Sequence, residues 1–241
     1  MIALERANAE LRALARGLGL IPYLGRARSL LGRLRGDTDY EQRFSQALLS
    51  EVRPGDVVWD IGANVGLYTA PLAAAAGTRG RVFAFEPTPA CFDALSTRTQ
   101  SSSNVQCVMA ALGDREGHAQ LSVSPDALST TNSLFVGAGA DTVQVRITTG
   151  DRMVQSGEAL PPNVLKVDVE GFEEEVLRGL SEQLAAPTCR AVFCEMHFGI
   201  LDARGQRHAP SRIVARLREL GFRTRWIDAS HLGAVRDSGA R

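Results

Sequence analysis

From Pro54 onward the chain alternates short β-rich runs with helix-like segments, and this alternation restricts the fold more than any other feature. The runs are Val57–Ile61, Arg81–Glu86, Val105–Met109, Val164–Val169, Ala191–Met196 and Phe222–Ile227. Helical patterns fall at Tyr68–Ala76, Ala90–Thr99, Glu173–Leu184 and Pro210–Leu220, and a further amphipathic one at Tyr40–Glu51. Several runs are apolar throughout, as strands are when helices cover both faces. The expected fold is α/β, a three-layer sandwich with a mostly parallel sheet. Two segments break the rhythm. His118–Ser124 and Thr142–Thr148 alternate apolar and polar residues, which predicts two extra antiparallel strands. The Ser124–Asp141 stretch between them reads as a long polar loop of the lid or binding type.

The 241 residues divide into an N-terminal helical extension, 1–50, and a main domain, 51–236. Residues 1–36 carry seven Arg against Glu5 and Glu10. Leu4, Ala7, Leu11, Leu14, Ala15 and Leu18 recur there at helical spacing, so the extension reads as a cap helix, with a membrane or partner surface as the alternative. Overall the 27 basic and 27 acidic side chains cancel. No global charge points to nucleic acid. No apolar run reaches the roughly 18–20 residues of a membrane span, so no transmembrane segment is expected. Cys91, Cys107, Cys189 and Cys194 form no C-x-x-C and no zinc spacing. They read as core thiols of a cytoplasmic protein without a signal peptide.

The strongest site signal is Val57-Val58-Trp59-Asp60-Ile61-Gly62-Ala63-Asn64-Val65-Gly66, a buried strand followed by a glycine turn into a helix. Ligands of doubly wound sheets bind at such strand ends. The turn is neither G-x-G-x-x-G nor a P-loop, which favours a ligand without a pyrophosphate. S-adenosylmethionine fits that description. Gly62 and Gly66 would admit its methionine end, and Asp60 would hold the turn or a cationic amine. Glu86, at the end of the second run and followed by the strand-stopping Pro87, is placed to accept both ribose hydroxyls.

Lys166, Asp168 and Glu170 alternate along Leu165–Gly171, and charges on one face of a buried strand must be paired or functional. Lys166 is the one lysine among 27 basic residues. Its compact ammonium would tune the acids or hold Glu170. Glu195 and His197 follow at the end of the fifth run, and His197 is the imidazole best placed for general-base work. His118, His208 and His231 receive no role. The acidic cluster has oxygen ligands suited to Mg²⁺. Lys166 already supplies a positive partner, so no metal is assigned.

Together these residues resemble the FkbM family of S-adenosylmethionine-dependent methyltransferases. The matching pieces are Asp60–Gly66, Phe85-Glu86-Pro87, Ala111-Leu112-Gly113, Leu165–Gly171 with Glu173 and Val176-Leu177, and Glu195 to His197. The resemblance implies a Rossmann-like seven-stranded methyltransferase sheet and methyl transfer to a hydroxyl oxygen of a sugar, glycan or natural product. The candidate cofactor contacts are Asp60, Gly62, Ala63, Asn64, Gly66, Glu86, Pro87 and Asp168, with Ala111 or Leu112 packing on the adenine. The candidate catalytic set is Asp168 and His197 as base or orienting groups, supported by Lys166, Glu170 and Glu195. One departure is Thr148-Thr149-Gly150-Asp151-Arg152, where the family shows a Leu-Asp helix start, so the substrate-side loop is expected to differ. The expected partner is a small-molecule or carbohydrate acceptor, and a homo-oligomer stays open. Two other readings remain: a nicotinamide-dependent oxidoreductase, and a binding module that kept the cofactor fold without the chemistry.

Overall fold

The apolar runs pair with one another where helices can cover them. The structure is a computed structural model that describes residues 38–122 and 142–236. The readings made for residues 1–36, for the 124–141 stretch and for the tail from 237 fall outside those residues. Helix α1 (Thr38–Glu51) is followed by β1 (Val57–Ile61), α2 (Thr69–Ala76), β2 (Arg81–Phe85), α3 (Pro89–Thr99) and β3 (Val105–Val108). Next come β4 (Ala111–Leu112), β5 (Gly117–Ser122), β6 (Thr142–Thr148) and α4 (Gly150–Gln155). The order continues with β7 (Val164–Val167), α5 (Glu173–Arg178), α6 (Ser181–Ala185), β8 (Ala191–Glu195) and α7 (Phe198–Ala203). It ends with α8 (Ala209–Glu219), β9 (Arg223–Trp226) and β10 (His231–Val235).

Seven strands form one sheet in the order β3-β2-β1-β7-β8-β10-β9. The five from β3 to β8 are parallel, and β10 is antiparallel to both its neighbours. The chain moves outward from β1 to β3 and then returns to lay β7 on the other side of β1. That reversal opens a crevice at the carboxyl ends of β1 and β7. The fold is therefore the expected Rossmann-like sandwich.

Strand periodicity sorts the core into two layers. Trp59, Ile61, Phe83, Phe85, Leu165, Val167, Val192 and Cys194 pack on one face with Met153, Val176, Leu180, Ile213 and Leu217. Val58, Val82, Val164 and Phe193 pack on the other with Phe44, Leu48, Leu72 and Ala76. Each such large side chain contributes about 1.5–3 kcal/mol when fully buried. The packed unit begins at Arg43, so Phe44 and Leu48 of α1 belong to it.

The registers join one residue from each strand into a single row: Val108, Phe85, Ile61, Val167, Cys194, Leu232 and Trp226. The next position toward the crevice holds Met109, Glu86, Gly62, Asp168, Glu195 and His231. One backbone ladder thus aligns most of the candidate site.

Details depart from expectation. The run of six strands lacked β10, whose His231-Leu232-Gly233-Ala234-Val235 carries a weak strand pattern. The helix read over Glu173–Leu184 is two short helices that part at Gly179-Leu180. Helices α4 and α7 and strand β4 were not foreseen. The two alternating segments do pair antiparallel, as β5 and β6, and β4 adds to β6 in a separate small sheet.

Candidate active site

The crevice begins with a crossing of two chains. Gly62 has φ 76°, and a Cβ there would lie 1.8 Å from the Asp168 carbonyl oxygen. Its missing side chain is thus required by the passage of the chain after β7. Gly66 has φ 81°, a left-handed conformation that favours glycine, and a Cβ there would also meet the Leu95 methyl of α3 at 2.8 Å. The turn between them is tied to β2, since Gly62 and Ala63 both donate N–H bonds to the Phe85 carbonyl, at 3.0 and 2.9 Å.

Glu86 sits beside this turn and is 6% exposed. Its Oε2 accepts the Asn64 N–H at 3.0 Å. Its Oε1 accepts the Thr88 N–H at 2.9 Å and the Thr88 hydroxyl at 2.5 Å. A carboxylate offers about four acceptor positions, so these three donors leave about one for a ribose hydroxyl. Burial raises the Glu86 pKa, against the bonds from Thr88 and Asn64.

Asp60 is fully buried, and both its oxygens are committed inside the protein. Oδ1 lies 3.0 Å from Lys166 Nζ, its register partner on β7, and Oδ2 accepts the Thr69 hydroxyl at 2.7 Å. The cation beside Asp60 in the structure is therefore Lys166. Lys166 is 2% exposed, 3.5 Å from Asp168 Oδ2, 3.2 Å from the Gly62 carbonyl, and 5.0 Å above the Tyr68 ring. Burial would lower its pKa, yet Asp60 and Asp168 outweigh that and hold it above the ordinary lysine value. Lys166 holds Asp60 and Asp168, not Glu170.

Glu170 is held differently. Strand β7 ends at Val167, and Glu170 adopts φ 51° in the turn that follows. Such a conformation costs on the order of 1 kcal/mol or more for a residue other than glycine. Its neighbours offset the cost. Arg204 donates to the Gly171 carbonyl, lies 3.6 Å over the Phe172 ring, and pairs with Glu175 at 2.8 Å. The turn carries Glu170 Oε2 to 3.4 Å from His197 Nε2, while Asp168 Oδ1 lies 3.7 Å from the same nitrogen.

The other nitrogen of His197, Nδ1, is 2.7 Å from Oε1 of the buried Glu173, which also accepts the Gly171 N–H at 2.9 Å. Burial alone would depress the imidazole, but the Glu173 bond and the charges of Glu170, Glu173 and Asp168 raise it to about 9. Burial, aided by Asp168, Glu195 and Glu173 against His197, pushes Glu170 up to about 7. Burial also raises Asp168, against Lys166. The imidazole expected to be a near-neutral base is held above its ordinary pKa by the three acidic side chains around it. Asp168, Glu170 and His197 offer ligand atoms all within 4.8 Å of one another, a set able to hold a metal ion.

Glu195 does not join His197 in a bond. Its Oε2 lies 3.5 Å from His231 Nε2, and burial, which would raise its pKa, is outweighed by His231, His197 and Lys166. Of the two residues read as packing on the adenine, Leu112 is buried in the core with Trp59 and Phe85 and Ala111 is half-buried. Thr149 caps α4 and Asp151 accepts the N–H groups of Glu182 and Gln183 on α6, so the departure at 148–152 serves helix packing. Sequence reasoning gave no site role to Glu173, Thr69, Thr88 or His231. Glu173 carried one signal, an acid three residues past the cluster inside a string already marked as unusual.

A methyltransferase FkbM domain matches residues 60–224, which hold every candidate site residue named above except His231. The chain belongs to the FkbM methyltransferase family. It is 35% identical over 161 residues to the hexuronic acid methyltransferase AglP of Haloferax volcanii, across 66% of this chain and 64% of that protein. The chain therefore spans just under two thirds of AglP. It is 32% identical over 209 residues to the 31-O-demethyl-FK506 methyltransferase FkbM of Streptomyces tacrolimicus, across 71% of this chain and 74% of that one. The fold is similar to that of a candidate rRNA-methylase from Clostridium thermocellum, with a TM-score of 0.53 at 12% identity over 83% of this chain and 97% of that chain. Membership of the FkbM family makes S-adenosylmethionine the cofactor. Among the described residues no helix is long and apolar enough to cross a membrane.

Proposed function

We propose that this FkbM-family chain transfers a methyl group from S-adenosylmethionine to a hydroxyl oxygen of a sugar, glycan or natural product. The observation that carries the reading is the cluster Asp168–Glu170–His197, separated from Glu86 by one strand, β1, on the same rim of the sheet. Asp60, Asp168, Glu170, Glu173 and Glu195 there outnumber Lys166, His197 and His231, and such a field suits a ligand of net positive charge. Glu86 would hold the ribose through its remaining acceptor position, with Asp168 and the backbone of the glycine turn beside it. When bound, the cofactor supplies an electrophilic methyl group.

The chain's own groups orient the acceptor and take its proton. With its pKa raised to about 9, His197 is the poorer proton acceptor at neutral pH, and a carboxylate takes that role. Glu170 is the better match, because a base works best when its pKa lies near the working pH. His197, locked by Glu173, holds Glu170 and Asp168 in place. It also supplies, with Lys166, the positive charge that a metal would otherwise bring. Phe198, next to His197, and Trp226 are each 44% exposed with ring centroids 5.8 Å apart and planes tilted by 37°, an exposed aromatic pair suited to a sugar or macrocycle face. The four free thiols agree with a cytoplasmic setting.

Transfer of labelled methyl from S-adenosylmethionine, measured across uronic acids, neutral sugars and macrolides with excess EDTA present, tests the reading. Product with at least one acceptor is expected. Calorimetry should show Glu86→Ala losing about tenfold or more in cofactor affinity. No transfer, or unchanged affinity, overturns it.

A further inference from the structure

We propose that His231, anchored on Asp228, positions Glu195 to hold the methyl acceptor, so that an Asp228–His231–Glu195 chain orients the acceptor side of the site. The inference rests on the methyltransferase reading above. His231 and Glu195 are register partners on β10 and β8, and such partners project to the same face. Their Nε2 and Oε2 atoms are 3.5 Å apart. The other ring nitrogen, Nδ1, lies 2.8 and 3.0 Å from the two Asp228 oxygens. Asp228 is itself fixed, since Oδ1 accepts the backbone N–H groups of Ser230 and His231, both at 2.9 Å. Phe44 of α1 stacks on the imidazole with centroids 4.0 Å apart.

The contrast in exposure gives this arrangement its direction. His231 is buried, whereas the Glu195 side chain is 31% open, more than Asp168, Glu170 or Glu173. An immobilised donor thus aims at a carboxylate that faces the crevice beside Asp168. Bracing the β9–β10 turn needs only the two backbone bonds to Asp228. Replacing a buried ion pair by a well-packed apolar residue is often neutral for stability. Fold stability alone therefore does not call for a histidine here, while orientation of Glu195 does.

The test compares His231→Phe, which keeps the ring stack and loses the donors, with His231→Gln, which keeps one donor. His231→Phe should raise the acceptor KM about tenfold with cofactor affinity within about twofold of wild type. His231→Gln should recover most of that loss. In a Glu195→Gln background, His231→Phe should have no further effect on KM, because both act through one group. An unchanged KM, an equal loss of cofactor affinity, or additive effects would overturn the proposal. Nitrogen-15 spectra of the histidine rings provide a readout that needs no turnover. The His231 Nε2–H signal should change in Glu195→Gln and persist in Glu195→Asp, and a signal indifferent to both overturns the link. A wild-type chain that moves no methyl group sinks the methyltransferase reading, and these spectra then decide the His231–Glu195 contact separately.

Discussion

His197 Nδ1 and Glu173 Oε1 lie 2.7 Å apart, and this bond turns the opposite edge of the imidazole toward Glu170 and Asp168. The same Glu173 oxygen holds the Gly171 N–H, so one buried carboxylate fixes both the ring and the turn that presents Glu170. Glu173→Gln keeps the volume and removes the charge. It should lower kcat up to about a hundredfold, since small misplacements of reacting groups cost that much. Cofactor affinity should stay near wild type, and steady-state kinetics beside calorimetry would separate the two.

The rate should follow a bell-shaped pH curve. Glu170 must lose its proton to act, and its pKa is about 7, so activity should rise through that pH. His197 supports it as a cation with a pKa of about 9, so activity should fall above that. If the imidazole were instead the base, the rate would climb through pH 9 without a decline. The kcat profile from pH 5.5 to 10.5 in about half-unit steps distinguishes the two.

The same groups make stability depend on pH. Glu170 has a raised value when folded, so the native state binds its proton more tightly, and stability declines as pH rises from the unfolded value of 4.5 through about 7. His197 is also raised, so its contribution is full below 6.5 and is lost through about 9. Glu170→Gln should flatten the lower part of this decline and be more stable than wild type at pH 8 by about 1–2 kcal/mol. Urea unfolding at pH 5, 7 and 8 reads the difference, and parallel curves for both proteins would refute it.

Lys166→Met should be among the most damaging single changes. It leaves Asp60, fully buried, without its cation at 3.0 Å. Removing one partner of a buried pair costs about 3–5 kcal/mol. Lys166→Arg should not restore stability, because a planar guanidinium is a poor fit where a single ammonium reaches Asp60, Asp168 and the Gly62 carbonyl. Denaturant midpoints of the two variants check both statements.

Much of this was legible in the sequence, for identifiable reasons. Apolar runs such as Val57–Ile61 and Ala191–Glu195 announced strands buried on both faces, and the charges at 166, 168 and 170 announced a site. Partner choice was not legible. That Lys166 turns to Asp60 follows from the register of β1 against β7, which no single segment encodes. The gathering of Glu170 and Asp168 on His197 depends on a left-handed turn at a glutamate, a conformation no composition rule favours. His231 went unassigned because its strand contains Gly233 and follows a turn, and its meaning comes from lying opposite Glu195 across two antiparallel strands. The glycines at 62 and 66 were visible, but the crossing chain at Asp168 that excludes a side chain at 62 is not shown by the local motif.

The row from Val108 to Trp226 sets Glu86 and Glu195 on one rim with β1 and β7 between them. On the proposed reading, exchanging β8, β10 and β9 between relatives would alter the residues around Glu195 while leaving Glu86 in place. Chimeras joined within the β7–β8 connection would separate the two ends of the rim by experiment.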